Sequence, residues 1–206
     1  GAHRGGISPG RRSRASALAL AALLTACGGG SDGGGPTGTP LDALLVLPRS
    51  DTTPPPARTF PVHNNRLETF RIEHTDAAHT LFAEFRFTPR SIVQANGLLV
   101  CDTCTVYVTV TPLPGLYGFT IGPGHLVFNA AGSPTVTVSY GTYGDLSVHD
   151  SSTRYPTPAD YSAALALWYE RSPGVWDEER NSTHQSATVV ASAIDAPVTH
   201  LLAALK

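Results

Sequence analysis

The sequence predicts an all-β protein, an antiparallel Ig-like β-sandwich that follows a signal peptide and a flexible linker. Three observations carry this. From about Phe60 onward apolar and polar residues alternate with period two, as in Leu81, Ala83, Phe85 and Phe87 against Phe82, Glu84, Arg86 and Thr88. The same alternation returns in Val106, Val108 and Val110 against Tyr107, Thr109 and Thr111. Gly or Pro punctuates nearly every gap between such runs, and no long helical period or internal repeat competes with them.

In chain order, residues 1–26 read as an export signal. Arg4, Arg11, Arg12 and Arg14 precede the run Ala15–Ala26, whose only polar members are Ser16 and Thr25. A positive region, a short apolar region and small residues form the secretory pattern. A spanning helix needs about 18 apolar residues, and this run stops short of that. Residues 27–58 read as Cys27 followed by a Gly/Pro-rich linker, from Gly28–Gly30 and Gly33–Gly35 to the Thr52–Pro56 stretch. Such composition cannot offset its ordering entropy, and roughly 30 flexible residues span about 30 Å. Inside it lies the apolar island Leu41–Leu47, for which a docked strand and a short helix both stay open.

Residues 59–206 form the sandwich. Asn96-Gly97 between Ile92-Val93 and Leu98–Val100 is the two-residue type I′ hairpin signal. Further strands are expected at Tyr117–Ile121, His125–Phe128, Thr135–Tyr140, Leu146–His149, Val175-Trp176, Ala187–Ala193 and His200–Leu205. Ala159–Tyr169 also scores as helix through its Ala and Leu content. A strand is preferred there, because Trp168-Tyr169 runs through Ser172-Pro173-Gly174 into Val175-Trp176 as a hairpin would.

Composition removes several function classes. With 206 residues, 41% hydrophobic and 15% charged, the chain is too apolar for a disordered solvating segment and too weakly charged for a nucleic-acid binder. Lys206 is the only lysine, which excludes chemistry on an internal lysine, Schiff base and phosphate loop alike. From Phe60 to Lys206 there are 8 basic and 13 acidic residues, so no basic face invites a polyanion.

Leu24-Thr25-Ala26-Cys27 resembles the bacterial lipobox. The resemblance implies that Cys27 is lipidated and becomes the first residue after cleavage; the alternative is ordinary cleavage with Cys27 incidental. At about 0.8 kcal/mol per buried methylene, several acyl chains anchor permanently. Gly28 stands where an inner-membrane retention signal has Asp, so the resemblance places the protein at the outer membrane of the bacterial envelope.

The stretch Val106–Gly141, with VTVTPLPG, FTIGPGHLVFN and SPTVTVSYG, resembles the β-sandwich domain shared by zonula occludens, netrin-receptor and ankyrin proteins. The closing LALWYERSPGVWDEE and ATVVASAIDAPVTHLLAAL resemble the ending of its bacterial relatives, a Trp hairpin followed by a strand and a His-Phe-Ser-like terminus. The resemblance implies a protein-interaction or spacer module without general enzymatic activity. Some relatives cut their own chain at that terminus; here the matching positions are His200, Leu201 and Leu202, and a leucine has no hydroxyl to attack with.

The remaining candidates have bland readings beside them. Cys101 and Cys104 form a disulfide candidate in an oxidising envelope, with free thiols or metal and redox work as alternatives; three residues apart, they need the Asp102-Thr103 turn to meet. His74, Asp76 and His79 carry ligand-type side chains without the spacing of a zinc helix, and read as a solvated turn. His125, His149, His184 and His200 are scattered. Trp168, Tyr169 and Trp176 read as core, with a sugar-stacking platform as the alternative. Glu178 and Glu179 point apart on a strand.

The expected function is therefore a membrane-anchored envelope lipoprotein presenting a non-enzymatic binding or structural module. No catalytic residue, cofactor or metal is expected; the membrane is reached through Cys27, and a protein or an envelope glycan is the partner. The alternatives are an envelope hydrolase, marked by Glu178 or Glu179 converging with His184, and a glycan-binding module, marked by an exposed indole.

Overall fold

Alternating apolar residues become strands almost throughout. The computed structural model describes residues 38–51 and 53–206; the signal peptide, the lipobox with Cys27 and the Gly-rich part of the linker lie outside the described residues. The strands are β1 Thr39–Pro40, β2 Leu44–Val46, β3 Arg58–His63, β4 Glu68–Glu73, β5 Leu81–Phe87, β6 Ile92–Ala95, β7 Leu98–Leu99, β8 Thr105–Pro112, β9 Gly118–Gly122, β10 Val127–Phe128 and β11 Thr135–Ser139. After helix α1, Pro158–Ala164, come β12 Ala166–Ser172, β13 Val175–Glu178, β14 Thr183–Ser186, β15 Val189–Ala193 and β16 Thr199–Leu205.

They form an eight-stranded sheet in the order β1-β13-β12-β16-β9-β8-β3, with β2 also on β16, a five-stranded sheet β14-β15-β11-β5-β4, and a small sheet β10-β6-β7. The ladders are antiparallel. Phe60, Val62, Val108, Val110, Phe119, Ile121, Leu167 and Leu202 of the first sheet share one core with Ile72, Phe85, Phe87, Val136, Val138 and Val190 of the second. Phe85 meets Phe119 edge-on across it, ring centroids 5.1 Å apart. The fold is thus the predicted all-β antiparallel sandwich.

Phe82, expected on the polar face of its strand, is fully buried. The register jumps there, from Ile72 opposite Ala83 to Glu73 opposite Leu81, and the bulge turns the ring inward. β16 is apolar on both faces. Leu202 and Ala204 join the main core, while Leu201 and Ala203 pack with Leu44, Trp168 and Trp176 on the other side of the sheet. Gly118 lets β9 approach β16 closely, since a Cβ there would lie 2.5 Å from the His200 carbonyl oxygen.

Three expectations about local structure are corrected. Ala159–Tyr169 is not one strand: residues 158–164 are helix and the strand begins at Ala166. Thr157 caps that helix in a capping box with Asp160, each side chain bonding the other's backbone N–H, and Pro158 occupies its first turn. Leu146–His149 lies in a 3-10 helix, Leu146–Ser151, started by the Asp145 side chain accepting from the Ser147 N–H. Finally, residues 39–51, inside the stretch read as linker, belong to the fold. Leu41–Ala43 makes a 3-10 turn, and Leu44–Val46 pairs with β16. The hairpin at Asn96-Gly97 has positive φ at both residues, 53° and 75°, as its turn type requires.

Cys101 and Cys104 are joined by a disulfide across the Asp102-Thr103 turn, Cα atoms 5.1 Å apart. A ring this small removes little chain entropy, so replacing both cysteines by serine is expected to cost no more than about 2 kcal/mol. Urea denaturation of the double variant measures this, and intact mass before and after reduction and alkylation reads the bond itself.

Candidate functional site

The fold gathers its acid–base side chains in two places below the surface. The first lies between β16 and the end of β13. His200 Nε2 stands 2.9 Å from Glu179 Oε1, and both side chains are wholly buried. His200 Nδ1 donates to the Val198 carbonyl at 3.0 Å, which fixes a hydrogen on that nitrogen because a carbonyl only accepts. One further proton is therefore shared between Nε2 and Oε1, and the pair is neutral overall whichever atom holds it. Glu179 Oε1 also accepts the Asp195 N–H at 3.1 Å, while Oε2 is buried without a partner. The imidazole stacks on Phe119. Glu179 thus meets His200 rather than His184, whose Nε2 donates to the Leu165 carbonyl at 2.9 Å; Glu178 faces solvent.

The second place joins residues far apart in the chain. Arg49, its side chain fully enclosed, sets Nε 2.6 Å from Asp51 Oδ1, and His74 Nδ1 donates to Asp51 Oδ2 at 3.1 Å. That bond leaves the lone pair on His74 Nε2, which is buried and unpartnered. His74 is therefore not on a solvated turn, although His79 is, 75% exposed. The Tyr143 ring lies 4.2 Å from the His74 ring, and its hydroxyl donates to Asp76 Oδ2 at 2.8 Å. Asp51, Thr53, His74, Thr75, Asp76 and Tyr143 line a small cleft of about 190 Å³.

Burial pushes the His74 pKa below its ordinary 6.5, with Asp51 opposing the shift. Hydrogen bonds from the Thr80 hydroxyl and N–H, then Tyr143, draw Asp76 down from 3.8 to about 2. The Asp76 hydrogen bond in turn raises Tyr143. For both lowered groups the unfolded chain binds protons more readily than the folded one, so stability must fall as pH falls. The His74 contribution begins to be lost below 6.5, and the Asp76 contribution from about 3.8 towards 2. Urea midpoints measured from pH 7 to 3 are expected to decline, with His74→Gln flattening the upper part of the curve and Asp76→Asn the lower.

An open concavity lies elsewhere, on the outer face of the five-stranded sheet. It is a trough of about 400 Å³ lined by Glu84 and Arg86 of β5, Thr135 and Thr137 of β11, Ala191 and Ala193 of β15, and Asn181, Thr183 and Gln185 on and beside β14. Inward-facing Val136, Val138, Val190 and Phe85 hold its floor on the core.

Among the described residues, no group of three or more His, Cys, Asp or Glu side chains is arranged to hold a metal ion. Trp168 and Trp176 are 5% and 4% exposed, so neither indole offers a stacking face. Trp168 Nε1 donates to the Ala203 carbonyl at 3.1 Å. Sequence reasoning missed Arg49, Asp51 and Tyr143, which no local motif ties to His74, and it missed the trough, whose side chains meet only through strand pairing. Compared with protein-family models, with curated proteins and with solved structures, the chain matches none of them.

Proposed function

We propose that the chain is an exported lipoprotein, anchored through Cys27 in the bacterial envelope, whose β-sandwich is a non-enzymatic binding module of the kind its sequence resembles. The export and anchoring half rests on Arg4–Cys27, where a charged region, an apolar run and a lipobox-like ending coincide. The binding half is supported by one contrast. Glu179 engages His200 beneath the surface, and Asp51 engages the largely buried His74 at a small cleft, whereas the trough turns hydrogen-bonding side chains outward. A general base must reach the proton it takes, and the Glu179–His200 pair, with no exposed side-chain surface, reaches no substrate, while in the cleft at Asp51 the His74 Nε2 is itself buried.

Two measurements test this. Expressed in bacteria behind a start codon, the wild type should take up a fatty-acid probe and Cys27→Ala should not; equal labelling of both refutes the anchor. The immobilised chain should retain an envelope component at unchanged mass, and Ala191→Trp, which fills the trough, should release it. Conversion of that component into products, abolished by His74→Gln, would make the protein an enzyme.

A further inference from the structure

The outer face of the five-stranded sheet is organised as two rows in register. One runs Arg71, Glu84, Thr137, Ala191, Thr183 across β4, β5, β11, β15 and β14; the other runs Thr69, Arg86, Thr135, Ala193. In both rows β15 contributes only a methyl group. That lowers the floor between the longer side chains of β5 and β14 and makes the trough. Three strand spacings of about 4.8 Å separate β5 from β14, so it is roughly 14 Å across, and its rows lie roughly 7 Å apart.

Its chemistry is specific. The hydroxyls of Thr135, Thr137 and Thr183 and the amides of Asn181 and Gln185 each donate and accept, and none has a side-chain partner among the described residues. Glu84 is engaged, accepting from Arg71 Nε at 2.6 Å. Arg86, two positions along the same strand, has no carboxylate partner among the described residues. The trough therefore presents several neutral two-way hydrogen-bonding groups and one uncompensated guanidinium.

We infer that this trough binds an acidic oligosaccharide, whose hydroxyls exchange hydrogen bonds with the threonines and amides and whose carboxylate pairs with Arg86. The inference rests on the binding-module reading. A sugar hydroxyl donates and accepts as these side chains do, and a guanidinium fork matches a carboxylate with two parallel bonds. A nucleic acid needs many cations along its track, and only one is free here. An extended peptide would take the backbone edge of β14 rather than the sheet face.

The full chain is titrated calorimetrically with a cello-oligosaccharide carrying a single uronic acid, with its methyl ester, which lacks the charge, and with unmodified cello-oligosaccharide. The singly acidic saccharide should bind, and esterification should weaken it about tenfold. Arg86→Gln should erase that difference. Ala191→Trp should abolish binding of every saccharide, and Thr137→Val with Thr183→Val, which keeps side-chain shape, should weaken charged and esterified forms alike. Failure of every saccharide to bind, or binding indifferent to both the Ala191 and the threonine substitutions, overturns the inference. If saccharides fail while an envelope component is still retained unchanged and released by Ala191→Trp, the ligand class is wrong and the binding module stands. Conversion of that component refutes the module itself.

Discussion

Replacing His200 by leucine is expected to destabilise the domain by about 3–5 kcal/mol, a large part of the roughly 5–15 kcal/mol that holds an ordinary domain together. Leucine fills the space beside Phe119 but leaves Glu179 wholly buried, with the Asp195 N–H as its one remaining donor. A carboxylate in that position must either stay charged without a counterpart or take up a proton and still lack an acceptor for it. Glu179→Gln behaves differently. Both bonds fall on Oε1, and in glutamine that position holds either the NH2, which donates to His200 Nε2, or the oxygen, which accepts from Asp195; one bond is lost without leaving a buried charge, so the cost should lie at about 1–3 kcal/mol, below that of His200→Leu. The double variant His200→Leu with Glu179→Leu removes the buried charge altogether and should recover most of the loss. Urea denaturation of these proteins together with the single variant Glu179→Leu closes the cycle. A single-variant cost under 1 kcal/mol for His200→Leu would mean that water reaches the pair.

That pair shows how far local rules extend. Glu178 and Glu179 are the same residue type side by side, and strand alternation requires them to point apart. Which one turns inward depends on the hydrogen bond from the Glu179 N–H to the Leu167 carbonyl at 2.8 Å, a fact of strand pairing. Its partner His200 arrives from β16, 21 residues on. His74 is a stronger case, because its burial follows from Asp51, 23 positions earlier, and from Tyr143. The trough obeys the same limit. Ala191 and Ala193 make a depression only once β14, β15, β11 and β5 lie side by side.

Strand identity was legible because each run carries its own period, and the turn at Asn96-Gly97 because its backbone needs are local. Thr157-Pro158-Ala159-Asp160 was equally legible, as a cap with proline at the first helical position, and it outweighs the hairpin argument over residues 158–164 only. The hairpin argument holds from Ala166 onward, where β12 and β13 pair. A single window held two elements, and a choice between them was bound to lose one.

A chain beginning at Ala57 is expected not to fold cooperatively, whereas one beginning at Gly38 should unfold as the full protein does. Composition marks residues 27–58 as linker, but Leu44, Leu45 and Leu47 are 3%, 4% and 0% exposed. β2 lies beside the second half of β16, residues 203–205, as β9 lies beside its first half. Without β2 the backbone groups of a central strand become an open edge. The Leu47 N–H to Leu202 and the Tyr117 N–H to Leu47 bonds, both 2.9 Å, disappear with it. Leu202 and Ala204 lose their cover, the buried Tyr161 hydroxyl loses its acceptor at Leu45, and His74 loses Asp51. Within the full chain, Leu47→Ala samples the same packing and should cost about 2–5 kcal/mol, the range for a leucine truncated in a closed core. Circular dichroism and urea denaturation of the two shortened chains decide the matter. An unchanged midpoint for the Ala57 start would return residues 39–51 to the linker.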